Sequence, residues 1–347
     1  MNMKFKKLHT LKKGDRVAVL SPSFAAPAVF PKVFEYGLQR VKDIFELEPV
    51  EYPSTRKLNA SAKERADDLV AAFEDKNVKA VIASIGGDDQ VTYIKNLSSK
   101  PFSDNPKPFF GYSDNTHFMN FLWLNGVPSF YGGSLMTQFA MQKCMDEYTV
   151  RYLKKALFER GEAEIKPSEQ YNDVGLDWGN EENLNKARVY EPNDGWIWDS
   201  KHDARGFTWG GCLESIDEMM RNSVEIPSLK DFERVVLCTE TSEEIPSSDY
   251  VSRVYRALGE RGILERVKAV LVGRPKAWEF DKQKSKAEKK EYSRGQRNVI
   301  AETVRMYNKN VPIVQNLDFG HTDPQMPLPY GKNVRLIGAR KQIFIDF

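Results

Sequence analysis

The sequence predicts an α/β protein whose N-terminal half is built on a parallel sheet covered by helices on both faces. Two observations carry this. Short, continuously apolar, β-branched runs alternate with helix-spaced segments over the first 160 residues. A polar stretch at 166–204, rich in Asn, Asp, Gly and Glu, then breaks the pattern before it resumes. A loop of that length inside a compact domain is functional or a linker, so the domain boundary is expected there.

Residues 16–21 form the first strand, ending in Ser-Pro-Ser, and 28–46 have helical spacing. Residues 61–74 read as a second helix, with Ser61 as N-cap and Glu64 completing a capping box. A β-branched strand at 79–85 stops at Gly86-Gly87, and 88–97 look helical. Residues 107–112 are another strand, followed by an aromatic-rich helix at 114–125. Beyond the polar stretch, Trp209-Gly210-Gly211-Cys212-Leu213 leads into a helix to Asn222, and a strand at 234–239 ends at Glu240. A helix at 248–259 and a strand at 268–273 follow. Residues 282–309 read as a long charged helix with an interruption near Gly295. A strand at 311–316 leads to Gly320-His321, and 333–347 form a terminal hairpin. The expected units are a domain at 1–165, a linker or lid at 166–204, and a second domain at 205–347.

Composition excludes several classes. Lys and Arg number 51 against 49 Asp and Glu, a net charge of +2, so no nucleic-acid partner is expected. The basic cluster at 282–290 includes Glu288 and reads as a solvated helical face. Cys144, Cys212 and Cys238 have no C-x-x-C spacing and are odd in number, which fits a reducing compartment without a disulfide framework. The basic segment at 1–14 is not followed by the apolar run of about 7–15 residues that a secretory signal needs. No run approaches the ~18 apolar residues of a membrane span. A cytoplasmic protein with no membrane partner is expected. No H-E-x-x-H or Cys/His cluster suggests a metal, and His117, inside the aromatic helix, reads as a packed core residue.

Three candidate features share one setting, the C-terminal end of an apolar strand, where open α/β sheets bind ligands. Ser113, in Gly111-Tyr112-Ser113-Asp114-Asn115, stands between a strand and a helix. It is either a nucleophile on a sharp turn or a cap for the helix that follows. Position 115 is Asn, so this is not a G-x-S-x-G elbow. Gly86-Gly87-Asp88-Asp89 could bring backbone amides to an oxyanion, or could be a plain turn capped by Asp88. Glu240 and His321 are the third: a serine needs a base, and the base needs a carboxylate to fix its tautomer. Of the four histidines, His321 alone follows a strand and a glycine. Each of these residues also has a structural reading, as a cap or a loop residue.

Together these segments resemble the LD-carboxypeptidase family of serine peptidases, which includes the microcin C immunity proteins. The resemblance runs from Gly14-Asp15-Arg16-Val17 through Ile85-Gly86-Gly87-Asp88-Asp89, Gly111-Tyr112-Ser113-Asp114 and Gly210-Gly211-Cys212-Leu213. It continues through Glu240-Thr241-Ser242-Glu243 to Phe319-Gly320-His321-Thr322. It implies a triad of Ser113, Glu240 and His321, with the amides of Gly87 and Asp114 as oxyanion hole. It implies a flavodoxin-like N-terminal domain bearing the serine and a smaller C-terminal α/β domain bearing Glu and His, with the active site in the cleft between them. It also implies no metal or cofactor, and a homodimer. One branch of the family removes terminal D-Ala from cell-wall tetrapeptides. The other cleaves the amide joining an acyl or peptidyl group to a nucleotide-like leaving group, and Gly-Gly-Asp-Asp, Gly-Gly-Cys-Leu-Glu and Glu-Thr-Ser-Glu-Glu look more like this second branch. Trp178, Trp196 and Trp198 in the polar stretch could stack a nucleobase, or simply pack between domains. The expected substrate is a small peptide or peptidyl nucleotide. A non-catalytic small-ligand binding protein and a general α/β-hydrolase esterase are the alternatives.

Overall fold

The computed structural model describes residues 4–347, so residues 1–3 of the basic N-terminal segment lie outside the description. Its first sheet contains β1 (Arg16–Leu20), β2 (Glu48–Glu51), β3 (Val78–Ala83), β4 (Phe109–Gly111) and β5 (Ser129–Tyr131). These five pair parallel in the order β5-β4-β3-β1-β2. The chain then forms β6 (Glu162–Ile165), β7 (Gln170–Tyr171), β8 (Glu191–Pro192), β9 (Ile197–Trp198) and β10 (Ala204–Cys212). It ends with β11 (Val235–Glu240), β12 (Ala269–Gly273), β13 (Ile313–Leu317), β14 (Leu328–Tyr330), β15 (Asn333–Ile337) and β16 (Gln342–Asp346).

The second sheet runs β6-β16-β15-β10-β11-β12-β13-β9. Its centre, β10 to β13, is parallel, and its flanks are antiparallel. All six residues of β11 and all five of β12 are buried, as parallel strands covered on both faces require. Burying each Val or Leu side chain there contributes roughly 1.5–3 kcal/mol. The α/β architecture with one parallel-centred sheet in each half is the one expected. The terminal hairpin is present as β15 and β16.

The sheets exchange edge strands. β14, from the C-terminal part of the chain, pairs antiparallel with β5 and closes the edge of the first sheet. β6, from the N-terminal part, pairs with β16 at the edge of the second. One core cluster accordingly runs from Val17 and Phe110 to Cys238 and Leu271.

Local signals held where they were self-contained. Ser61 and Glu64 form the expected capping box, with the Ser61 amide donating to Glu64 Oε2 at 2.8 Å. The helical region at 28–46 is split into Ala26–Val29 and Pro31–Phe45, because Pro31 opens a new helix. The expected helix at 88–97 is reduced to Val91–Ile94.

The long charged helix is uninterrupted from Lys286 to Tyr307. A side chain at Gly295 would lie 3.2 Å from Ser248 Oγ, so glycine there lets this helix pack closely on the helix Ser248–Glu260. Its basic cluster is also not wholly solvated. Lys289 is buried and lies 2.6 Å from both Asp173 and Glu191, which makes its burial affordable. The polar stretch is likewise built into the fold, through the β7–β8 pair and through β9 on the edge of β13.

Candidate active site

The strand ends converge as the topology requires. β4 delivers Ser113, the loop after β3 delivers Gly86 and Gly87, β11 ends at Glu240, and the loop after β13 carries His321. Ser113, Gly87 and His321 line one cavity of about 720 Å³, together with Tyr112, Trp178 and Glu243.

Ser113 has φ 62°, in the left-handed region that a non-glycine residue rarely occupies. It opens a 3-10 turn, Ser113–Asn115, ahead of the helix Thr116–Leu124. The helix is preceded by Asn115, and Ser113 makes no capping bond. The helix-cap reading of Ser113 therefore falls away, and the strained turn sets Ser113 on the cavity wall.

The Gly86-Gly87 loop packs directly on this turn. A side chain at Gly86 would lie 2.8 Å from Ser113 Cβ, so only glycine permits the approach. The buried Asp114 carboxylate accepts from the amides of Asp89 and Gln90 at 3.2 and 3.1 Å. Asp114, rather than Asp88, thus caps the segment after the glycines and ties loop to turn. The amides of Gly87 and Asp114 have no acceptor among the described residues. Behind Asp114, His117 is fully buried, as expected, and its Nε2 lies 3.1 Å from Glu218. Burial disfavours its charged form, but Glu225, Asp114 and Glu218 outweigh this and raise its pKa.

His321 Nδ1 lies 2.7 Å from Glu240 Oε2. Glu240 is buried, and the tight approach depends on Gly320, where any side chain would sit 2.4 Å from Glu240 Oε2. The Tyr112 ring packs edge-on against the imidazole at 4.9 Å between centroids. The other ring nitrogen, Nε2, faces Glu243 Oε2 at 3.0 Å. No hydrogen bond joins it to Ser113 among the described residues. Burial favours the neutral ring, but Glu240 and Glu243 together push the His321 pKa up to about 10.

Two participants were not singled out from the sequence. Tyr131, at the end of β5, donates to Glu240 Oε1 at 2.6 Å and accepts from the Ser113 amide at 3.2 Å. The strand-end rule that found Ser113 could also have found Tyr131, had a three-residue strand been legible. Glu243 is the other.

The three tryptophans part company. Trp178 lines the cavity and packs edge-on against Phe30 at 5.5 Å. Trp196 is not on the cavity wall: its Nε1 donates to Asp318 Oδ2 at 2.9 Å. Trp198 lies in β9, paired with Val314 of β13, as a sheet-edge residue. Asp318 is itself a buried hub, accepting from Ser168 Oγ at 2.6 Å and from Arg274 Nη2 at 2.5 Å. Both cations on the cavity wall are paired, Arg188 with Asp323 and Lys276 with Glu279, each at 2.5 Å.

The cavity brings a strained serine, between a parallel strand and a helix, together with a histidine paired to a buried glutamate, an arrangement that a serine peptidase-type enzyme can use. Comparison with known proteins narrows the class. The model of the LD-carboxypeptidase N-terminal domain matches residues 17–132, and that of the C-terminal domain matches 205–336. The chain belongs to this family, peptidase S66. It is 28% identical to a putative carboxypeptidase of Treponema pallidum, over 97% of this chain and 94% of the relative. It is 23% identical to the microcin C7 self-immunity protein MccF of Escherichia coli, over 83% and 79% of the two chains. Among solved structures it is similar to a MccF-like protein from Streptococcus pneumoniae in complex with AMP, with a TM-score of 0.83 and 26% identity, covering 96% of this chain and 99% of that one. No helix among the described residues is long and apolar enough to cross a membrane.

Proposed function

We propose that this protein hydrolyses the amide of peptidyl or aminoacyl nucleotide-like compounds of the microcin C type, with Ser113 as nucleophile, His321 as general base and Glu240 as its orienting carboxylate. Ser113 Oγ attacks the acyl carbonyl while its proton passes to His321 Nε2. The amides of Gly87 and Asp114 receive the oxyanion. Collapse of the tetrahedral intermediate breaks the C–N bond, and the leaving nitrogen takes the proton from His321. Water, deprotonated by His321 Nε2, then attacks the acyl-serine, and as the acyl–oxygen bond breaks His321 returns the proton to Ser113 Oγ.

The observation that carries the substrate reading is the cavity itself. It is about 720 Å³, large enough for a nucleotide-sized ligand, and Trp178 offers an aromatic wall on the same cavity as Ser113. The similarity to an AMP-bound MccF-like protein supports it. A terminal D-Ala carboxylate would need a free cation, whereas Arg188 and Lys276 are already paired, which favours this reading over removal of D-Ala from muropeptides. In this reading the protein is a cytoplasmic enzyme that inactivates such compounds, and the family resemblance makes it a homodimer. The test is turnover of an aminoacyl-sulfamoyl adenosine beside a muropeptide ending in L-Lys-D-Ala. Faster cleavage of the nucleotide supports the proposal, and exclusive cleavage of the muropeptide overturns it.

A further inference from the structure

The reaction requires His321 Nε2 to take a proton from Ser113, yet in this structure that nitrogen faces Glu243 Oε2 at 3.0 Å. Both ring nitrogens therefore lie beside carboxylate oxygens, Nδ1 hydrogen-bonded to Glu240 and Nε2 within ion-pair distance of Glu243. Two carboxylates so close to one imidazole favour its doubly protonated, charged form. An imidazolium has no lone pair with which to act as base.

The two carboxylates differ. Glu240 is buried, held by Tyr131 and wedged beside Gly320, so it is a permanent partner. The Glu243 side chain is 52% exposed and lines the cavity. Its backbone is anchored on both sides. The amide and hydroxyl of Ser242 donate to the half-buried Glu214 Oε1 at 3.0 and 2.8 Å. Lys282 donates to the Glu244 carbonyl at 2.6 Å, and Gln296 to the Pro246 carbonyl at 2.7 Å. The loop is fixed while the Glu243 carboxylate can leave the histidine by side-chain rotation into the cavity.

We propose that Glu243 is a positioning residue that holds His321 in a resting state, occupying the nitrogen that must reach Ser113, and that a substrate filling the cavity displaces it. This rests on the catalytic reading given above. Every group facing the histidine fits the assignment. Glu240 comes from the end of β11 and Glu243 from the loop after it. Tyr112 packs on the ring, and Asp323, two residues on, is committed to Arg188. Lys276 draws on Glu243 from the β12 side. Burial would raise the Glu243 carboxyl, but His321 and Lys276 hold it down to about 2, so it stays a charged competitor.

The test is Glu243→Gln, which keeps size and removes charge. The His321 imidazole is followed by NMR of the 15N-histidine-labelled full-length protein, whose four histidines are few enough to assign with single variants. The pH dependence of kcat/KM on an aminoacyl-sulfamoyl adenosine is measured in parallel. We expect the His321 titration and the acid limb of kcat/KM to move down together by at least about one pH unit, raising kcat/KM at pH 7 roughly tenfold. An unmoved titration overturns the pairing, and a moved titration with an unmoved acid limb overturns the gating. The titration needs no turnover, so it separates failure of this inference from failure of the catalytic reading.

Discussion

Tyr131 donates its hydroxyl to Glu240 at 2.6 Å and receives the Ser113 amide on the same oxygen, joining the serine turn on one sheet to the carboxylate on the other. Phenylalanine at this position would keep the packing against Tyr330 and leave a buried carboxylate oxygen and an amide without partners. Such a loss costs about 1–3 kcal/mol. Tyr131→Phe should therefore lower kcat/KM by roughly tenfold to a hundredfold, mostly in kcat. Steady-state kinetics on a folded variant checks this, and unchanged kcat would show that the bridge is ornamental to the reaction.

Trp178 and Trp196 should behave oppositely. Trp178→Ala removes an aromatic face from the cavity, so KM for a nucleotide-bearing substrate should rise by an amount equivalent to about 1–3 kcal/mol, with little change for a small peptide. Trp196→Ala should leave KM alone and lower thermal stability, since its partner is the structural Asp318. Excising the polar stretch would be a poorer experiment: it would also strip Lys289 of Asp173 and Glu191, and Asp323 of Arg188.

Asp318 gathers Arg274, Ser168 and Trp196 beneath the loop that carries His321. Asp318→Ala would leave the buried Arg274 guanidinium without its carboxylate. Breaking such a pair costs about 3–5 kcal/mol, a large share of a typical domain's stability. Denaturant unfolding should show a loss of that size, and a change under about 1 kcal/mol would mean that Arg274 finds another partner.

The pH profile follows from the two carboxylates on His321. Its pKa is raised to about 10, so below that pH the imidazolium predominates and the base form grows about tenfold per unit as pH rises. With the wild-type enzyme, kcat/KM should climb across pH 6–9. A plateau beginning near pH 6.5 would contradict this electrostatic setting.

Much of this site was legible because its parts are local. An apolar run ending in Gly-Tyr-Ser-Asp, another ending at Glu240 and a third leading to Gly320-His321 each announce a strand end. Strand ends in parallel sheets share one rim. What the sequence concealed is non-local. Nothing near Tyr131 states that it will meet Glu240, 109 residues away. The polarity of Lys289 suggested solvent until Asp173 and Glu191 supplied partners. Edge-strand exchange by β6 and β14 depends on which strands remain unpaired after folding, information that no single window carries. The three tryptophans sit in similar polar contexts, and only tertiary contacts assign Trp178 to the cavity and Trp196 and Trp198 to the scaffold.

In the proposed mechanism Ser113 and His321 act with Glu240 as one unit. The most direct measurement is kcat of Ser113→Ala on an aminoacyl-sulfamoyl adenosine, with folding checked by circular dichroism and binding of the intact substrate measured by calorimetry. Ser113→Ala should lose on the order of 10³-fold or more, retain binding, and lose little further when His321→Ala is added, because members of such a unit are not additive. Near-normal turnover by a well-folded Ser113→Ala protein would contradict it.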